Sequence, residues 1–355
     1  MVDYAASGRK DEFWAKLVDL YTLQEVGDLD IIPDDCSITY GYNTDNLYSA
    51  SISTVTPQPN ASNALVRLWH RVTIGDWVTE EPLGTFFVQT AQFVATYKRQ
   101  SYDLKCYSTL LRYTNDVLLS DMGIPEGTIV GNKVKQIVEG KGGVLTLGEG
   151  VSLTSKVLLS DHIQEVGEGL STTIRTMADW MGCQISCDGY GRIVLQEYLE
   201  PAKKPVKYTF DATNSVYLPG VSVDDGRDGA VNVVRVYYTT QDKTDGCTVE
   251  LEESSPYSQK AIGRAEPMLV KLTEEKTHAE LEALAKRYLQ ENSGAVKYLE
   301  IEHVQIPGLH VGDAVTYEND RDFAEPYSCK ALVTEISIGS LTPGCMCKTK
   351  LKVIA

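Results

Sequence analysis

Long hydrophobic runs are missing from this 355-residue chain. Nothing approaches the roughly 18 consecutive apolar residues of a membrane-spanning helix, so no helical span is expected. The N-terminal stretch MVDYAASGRKDEFW lacks the apolar core of a secretory leader and carries acidic residues early. Both absences point to folding in a cytoplasm. The familiar enzyme fingerprints are absent too: G-x-x-x-x-G-K-[ST], G-x-S-x-G and H-E-x-x-H do not occur. The EGKGG around Lys141 has the wrong spacing to cradle a phosphate and reads as a loop.

Metal-ligand patterns are equally scarce. The five histidines, His70, His162, His278, His303 and His310, are dispersed, and none has a cysteine or second histidine at ligand spacing. Of the eight cysteines, Cys183 with Cys187 and Cys345 with Cys347 are local pairs, but neither has C-x-x-C spacing. In a reducing compartment they read as small buried apolar residues beside strands. Asp224, Asp225 and Asp228 in DDGRDG do not alternate as calcium ligands do and suggest a tight turn. Glu252–Glu253 and Glu274–Glu275 look like solvated faces. A glycosidase needs two acids facing each other across a cleft, a pairing made by tertiary structure and not by local spacing. No catalytic residue, cofactor or metal site is expected.

What is present begins with acidity: the net charge is −16. Such a surface repels phosphate backbones, which disfavours a sequence-reading DNA binder. The charge fits simple solubility, and it fits equally an acidic channel past which DNA slides without sticking. Hydrophobic content of 43% and charged content of 23% are those of a folded protein, and the length predicts two or three domains. Twenty tyrosines against six phenylalanines suggest subunit packing or, alternatively, carbohydrate binding.

Period-two alternation predicts strands over Ser37–Tyr42, Leu47–Val55, Leu65–Ile74, Leu83–Val94 and Ser101–Thr109, with Thr56–Asn63 as a loop. Asp11–Leu23 fits a helix or a strand. Past Leu110 the pattern mixes. A short helix is expected over Lys133–Glu139, and a longer one over Leu170–Met181 with Ser171 as cap and Gly182 as stop. A hairpin follows, Gln184–Cys187 and Ile193–Tyr198 around the turn Asp188–Gly191. Beyond the Pro- and Lys-rich Glu200–Val206, strands return at Val216–Val223, Val231–Thr240 and Thr248–Glu252. Thr277 and Glu280 have capping-box spacing for a helix over 277–293, ended by Gly294. Strands are then predicted at Val296–Gln305, Asp313–Tyr317, Lys330–Ile338 and Lys348–Val353. No strict repeat is apparent.

Three segments together resemble the tail hub proteins of tailed phages, the group of T4-type and Mu-type baseplate hubs, late-control proteins and the N-terminal part of siphophage tail-associated proteins. They are RLWHRVTIGDWVTEEPLGTFFVQTA (Arg67–Ala91), LSTTIRTMADWMGCQISCDGYGRIVL (Leu170–Leu195), and the trio AVNVVRVYY (Ala230–Tyr238), AELEALAKRYLQENS (Ala279–Ser293) and IPGLHVGDAVTY (Ile306–Tyr317). Their order along most of the chain carries the resemblance, since each alone is only a structural pattern. It favours a strand for Asp11–Leu23.

The resemblance implies a β-rich α+β fold: a first β-barrel-like domain (1–115), an α+β insertion (116–203) and a second β-barrel-like domain (204–355) holding the helix 277–293. It further implies a non-catalytic homotrimer forming a pseudo-sixfold ring at the virion tail tip, assembled in the bacterial host cytoplasm. Expected partners are a tail-tube or distal tail protein, tip or fibre proteins and a tape-measure protein, with DNA as transient cargo and no stable membrane insertion. The alternatives are a tail-associated peptidase or glycosidase and a carbohydrate-binding adhesin.

Overall fold

The computed structural model describes residues 3–4, 6–55, 64–95, 100–211, 222–224, 231–239, 243–272, 275–293, 298–319 and 327–354. The expected loop Thr56–Asn63, most of Val216–Val223, the acids Asp225 and Asp228, and Gly294 lie outside these residues.

The first module is built of strands with one 3-10 turn at Pro33–Asp35: β1 (Lys10–Val18), β2 (Glu25–Leu29), β3 (Ser37–Gly41), β4 (Tyr48–Thr54), β5 (Leu65–Ile74), β6 (Trp77–Ala95) and β7 (Gln100–Ser108). Asp11–Leu23 therefore contains a strand. Its residues Asp11, Ala15, Leu17 and Val18 turn inward, and it pairs antiparallel with β5 from Lys10↔Thr73 to Val18↔Leu65. The second half of β6 turns to β7 through a bulge between Val88 and Thr90. Bulges of this kind bend a strand and let one long segment serve two neighbours.

After β7 come α1 (Leu111–Thr114), β8 (Met122–Ile124), α2 (Val130–Gly140), β9 (Leu145–Leu147), β10 (His162–Gln164), α3 (Leu170–Trp180), β11 (Cys183–Cys187) and β12 (Ile193–Glu197). This stretch contains a repeat, contrary to the expectation of none. VLLSD occurs at Val117–Asp121 and again at Val157–Asp161, forty positions on. The two copies exchange equivalent bonds. Leu118 N donates to Glu168 O at 2.9 Å, and Leu158 N to Thr128 O at 3.0 Å. Val166 N donates to the Asp121 carboxylate at 2.9 Å, and Glu126 N to that of Asp161 at 2.8 Å. The unit is a tandem duplication with twofold-related contacts.

The duplication explains a second difference. Ser171 does not cap α3; the N-cap is Gly169, with no side-chain cap bond. Leu170 N instead donates to Asp116 O in the other repeat, as Val130 N does to Lys156 O. Exposed helix N–H groups need some acceptor, and here the partner repeat's backbone supplies one. The stop falls where expected, with Gly182 at φ 68° just past the last turn.

The remainder contains β13 (Val206–Phe210), β14 (Ser222–Asp224), β15 (Val233–Thr239), β16 (Thr244–Glu250), α4 (Gln259–Ile262), β17 (Pro267–Leu272), α5 (His278–Asn292), β18 (Tyr298–Val304), β19 (Ala314–Asn319), β20 (Tyr327–Ile338) and β21 (Met346–Val353). The helix 277–293 has the capping box its sequence predicts, Thr277 with Glu280. It covers a separate sheet, β16-β15-β17, and shares a core with Val234, Val236, Tyr238, Leu281, Ala285 and Leu289. Fully buried Leu281 contributes about 1.5–3 kcal/mol through burial. Two ion pairs tie α5 to the duplicated unit, Lys156–Glu280 at 2.7 Å and Arg287–Asp179 at 3.1 Å.

The β modules share one sheet, ordered β14-β18-β21-β20-β3-β4-β7-β6-β5-β1-β2, with β19 on β20 and β13 on β19. The junction is β20 with β3, from Glu335↔Gly41 to Ile338↔Ile38. One hydrophobic core runs beneath this sheet and the duplicated unit. The fold is β-rich α+β.

Candidate functional site

The three segments that carry the resemblance, far apart in sequence, meet around a cleft of about 520 Å³. From the first comes the Glu81–Leu83 part of β6. The second contributes the hairpin around Asp188 and Gly189, and the third the turn from Ile306 to Gly312.

Each contact has a local cause. Gly308, at φ 76°, turns its N–H onto the Glu81 carboxylate at 3.1 Å. The Tyr40 hydroxyl donates to Leu83 O at 2.8 Å, and Tyr42 donates to Gln184 Oε1 at 3.0 Å. The hairpin turn sits on β6: Thr85 Oγ1 donates to Gly189 O at 2.8 Å, and buried Arg67 donates to Tyr190 O at 3.1 Å. A Cβ on Gly189 would lie 2.1 Å from Pro82 O, so only glycine permits this approach. Lys204 donates to Gly312 O at 2.8 Å and closes the rim.

A buried ionic cluster stands beside the cleft. Asp11, whose side chain is fully buried, accepts from Arg9 at 2.6 Å, meets His70 Nε2 at 2.8 Å and accepts from Gly344 N at 3.0 Å. Burial alone would raise this carboxyl; the bonds from His70, Arg9 and Gly344 outweigh burial and hold it well below the usual carboxylate range. Arg9 also donates to Gln305 O at 2.8 Å. The cluster therefore joins β1 and β5 to the loops around β18 and β21. Sequence reasoning missed Arg9, Asp11 and Glu81. Their only signal was charge, on strand positions for Asp11 and Glu81 and just before β1 for Arg9.

Three ionisable groups lining the cleft are shifted away from reactivity. Burial pushes His303 down to about 4, and its ring nitrogens face Val304 O and Thr349 Oγ1. Burial pushes the Cys187 thiol up to about 11. The Cys347 thiol is raised by its bond with Cys345 and by burial. None of these is poised as a nucleophile or general base at neutral pH.

Of the residues singled out from sequence, His303, His310, Cys187 and Cys347 line the cleft, and the others lie apart from it. His70 lies in the ionic cluster, His162 packs edge-on against Trp180, His278 opens α5, and His310 is exposed at the rim. All eight cysteines are free. Asp224 is in β14, Glu275 accepts from Tyr238, Glu253 pairs with Lys260, and Lys141 pairs with Asp116. Among the described residues, no group of three His, Cys, Asp or Glu could hold a metal, and no helix is long and apolar enough to cross a membrane.

No protein-family model matches this sequence, and no curated protein matches it. Solved structures do. A tail protein from Neisseria meningitidis superposes with a TM-score of 0.66 at 11% identity, covering 96% of each chain. The chain has the fold of phage tail proteins. A 43 kDa tail protein of prophage MuSo2 from Shewanella oneidensis gives 0.63 at 11% identity, covering 96% of this chain and 98% of that one. The prophage tail protein gp18 from Listeria monocytogenes gives 0.58 at 12%, covering 96% and 94%. These likenesses embrace both β modules, the duplicated unit and the α5 unit together.

Proposed function

We propose that this chain is a non-catalytic structural subunit of a phage tail-tip hub. In this reading three copies form a pseudo-sixfold ring that continues the tail tube and adapts it to a threefold tip. The observation that carries it is the end-to-end likeness to tail proteins, with coverage near complete on both sides. A chain with two β modules in one sheet offers six similar faces per trimer, which relieves a six-to-three mismatch. On this reading 1–115 and 204–355 each close into a barrel-like domain, 116–203 is inserted between them, and the unit around α5 is an elaboration of the second. Net charge of −16 suits a channel through which DNA passes without adhering. The partners would be a tube or distal tail protein, tip or fibre proteins and a tape-measure protein, at the virion tail tip after assembly in the host cytoplasm.

An enzymatic role has little support in the cleft, where His303 is held neutral and the thiols are pushed away from thiolate. An adhesin reading draws on a row of aromatics, Trp14, Trp69 and Tyr190. Arg71 lies over Trp14, and Arg67 and Arg192 lie over Tyr190, so guanidinium groups occupy ring faces that a sugar would need. Electron microscopy of the chain mixed with the tube protein of its own particle tests the proposal. A threefold ring stacked on the tube supports it, and separate single copies beside intact tubes overturn it.

A further inference from the structure

The duplicated unit presents an apolar surface that the cleft does not use. Val117, Leu119, Val157, Leu159, Ile163 and Val166 are between 43% and 90% exposed. In VLLSD the first and third residues point outward in both copies, while the second faces the core, fully so at Leu158. The same positions are exposed twice, so exposure belongs to the place in the fold. Ile163 points outward between buried His162 and Gln164, opposite Gly123, which adds no side chain of its own. Gly167 N donates to Leu118 O and Leu118 N to Glu168 O, which holds the Val117–Leu119 segment alongside Val166. Apolar patches of this kind on a folded protein mark contact sites.

Charge says what kind of contact. Residues 116–132 and 157–174 contain six acids, Asp116, Asp121, Glu126, Asp161, Glu165 and Glu168, and no lysine or arginine. Asp116 is paired with Lys141, which leaves Asp121, Glu126, Asp161, Glu165 and Glu168 flanking the exposed apolar residues in the chain. We propose that this surface docks a separate protein whose contact segment has an apolar centre rimmed by lysine or arginine. A second copy of this chain is disfavoured, because two such faces would oppose acid to acid in a molecule of net charge −16. The proposal does not depend on the trimer reading.

The test uses the full chain and a labelled amphipathic helical peptide of leucine and lysine, with a leucine and glutamate peptide as its counterpart. Fluorescence anisotropy at physiological salt should show the basic peptide binding at least about tenfold tighter than the acidic one. L119S/I163S and E126K/E165K should each weaken it about tenfold, whereas E252K/E253K, the same charge change elsewhere, should leave it within about twofold. If L119S/I163S loses its native circular dichroism, the two charge variants decide alone. Equal binding by wild type and E126K/E165K overturns the proposal. So does sedimentation showing that the face variants abolish association of the chain with itself, because the occupant is then a second copy.

Discussion

Replacing Asp11 by alanine should be among the most damaging single changes to this fold. Its carboxylate is fully buried and is the anionic partner of Arg9, whose side chain is 6% exposed. The substitution leaves the guanidinium buried with only the carbonyl acceptors Tyr4 O and Gln305 O. It also removes the acceptor for Gly344 N and the partner of His70 Nε2. Breaking one side of a buried ion pair costs about 3–5 kcal/mol, a large share of a stability of about 5–15 kcal/mol. Urea unfolding should show that loss, with a fall in Tm on the order of 10 °C. D11N, which keeps an acceptor and loses the charge, should fall between. R9M/D11A should recover part of the loss, because removing both charges leaves none buried alone. The carboxyl is depressed in the folded state, so its contribution is present above about pH 4 and is lost as pH falls below that. D11A within about 0.5 kcal/mol of wild type would refute the argument.

The hairpin seat is tested by G189A, whose Cβ meets backbone at Pro82 and should cost about 1–3 kcal/mol; G123A, with open space around it, should be close to neutral. At α5, T277A removes half of the capping box and should cost about 1 kcal/mol by urea unfolding. Glu280 is held down at about 2, burial opposing and the bonds from Lys156 and Thr277 prevailing. Its contribution, about 0.5 kcal/mol for a group 38% exposed, is present above its ordinary value and is lost as pH falls towards 2. The stability of E280Q should therefore depend less steeply on pH across that window than that of wild type, and parallel curves would contradict the assignment. Cys36, Cys106 and Cys187, with thiols raised chiefly by burial, should resist a thiol reagent at pH 8 until the chain unfolds. Rapid reaction of all three in the native state would contradict the burial that holds these thiols protonated.

Where local pattern and tertiary setting agree, the sequence was readable. β5 runs Leu65–Ile74, the span its pattern predicts, with both faces buried over Leu65–Leu68 and alternate side chains, His70 and Val72, buried beyond. Thr277 and Glu280 predict the start of α5 because a capping box is satisfied within one turn. Three-residue strands such as β8 and β10 are too short to show a period and exist through each other. Ser171 looks like a cap until Asp116 O takes over that role from across the repeat. The repeat itself was legible in the identical VLLSD pentapeptides, but α2 and α3 have diverged except in their apolar positions and hide it. The cleft was not legible at all. Glu81 and Gly308 are 227 residues apart, and no local rule links a carboxylate on one strand to a turn in another module.

The central claim is a threefold hub, and native mass spectrometry across a concentration series tests it most directly. The account predicts a dominant species of about 118 kDa, three times the 39.2 kDa chain, either alone or once the tube protein is added. A 39.2 kDa monomer at every concentration, with and without the tube protein, would contradict it.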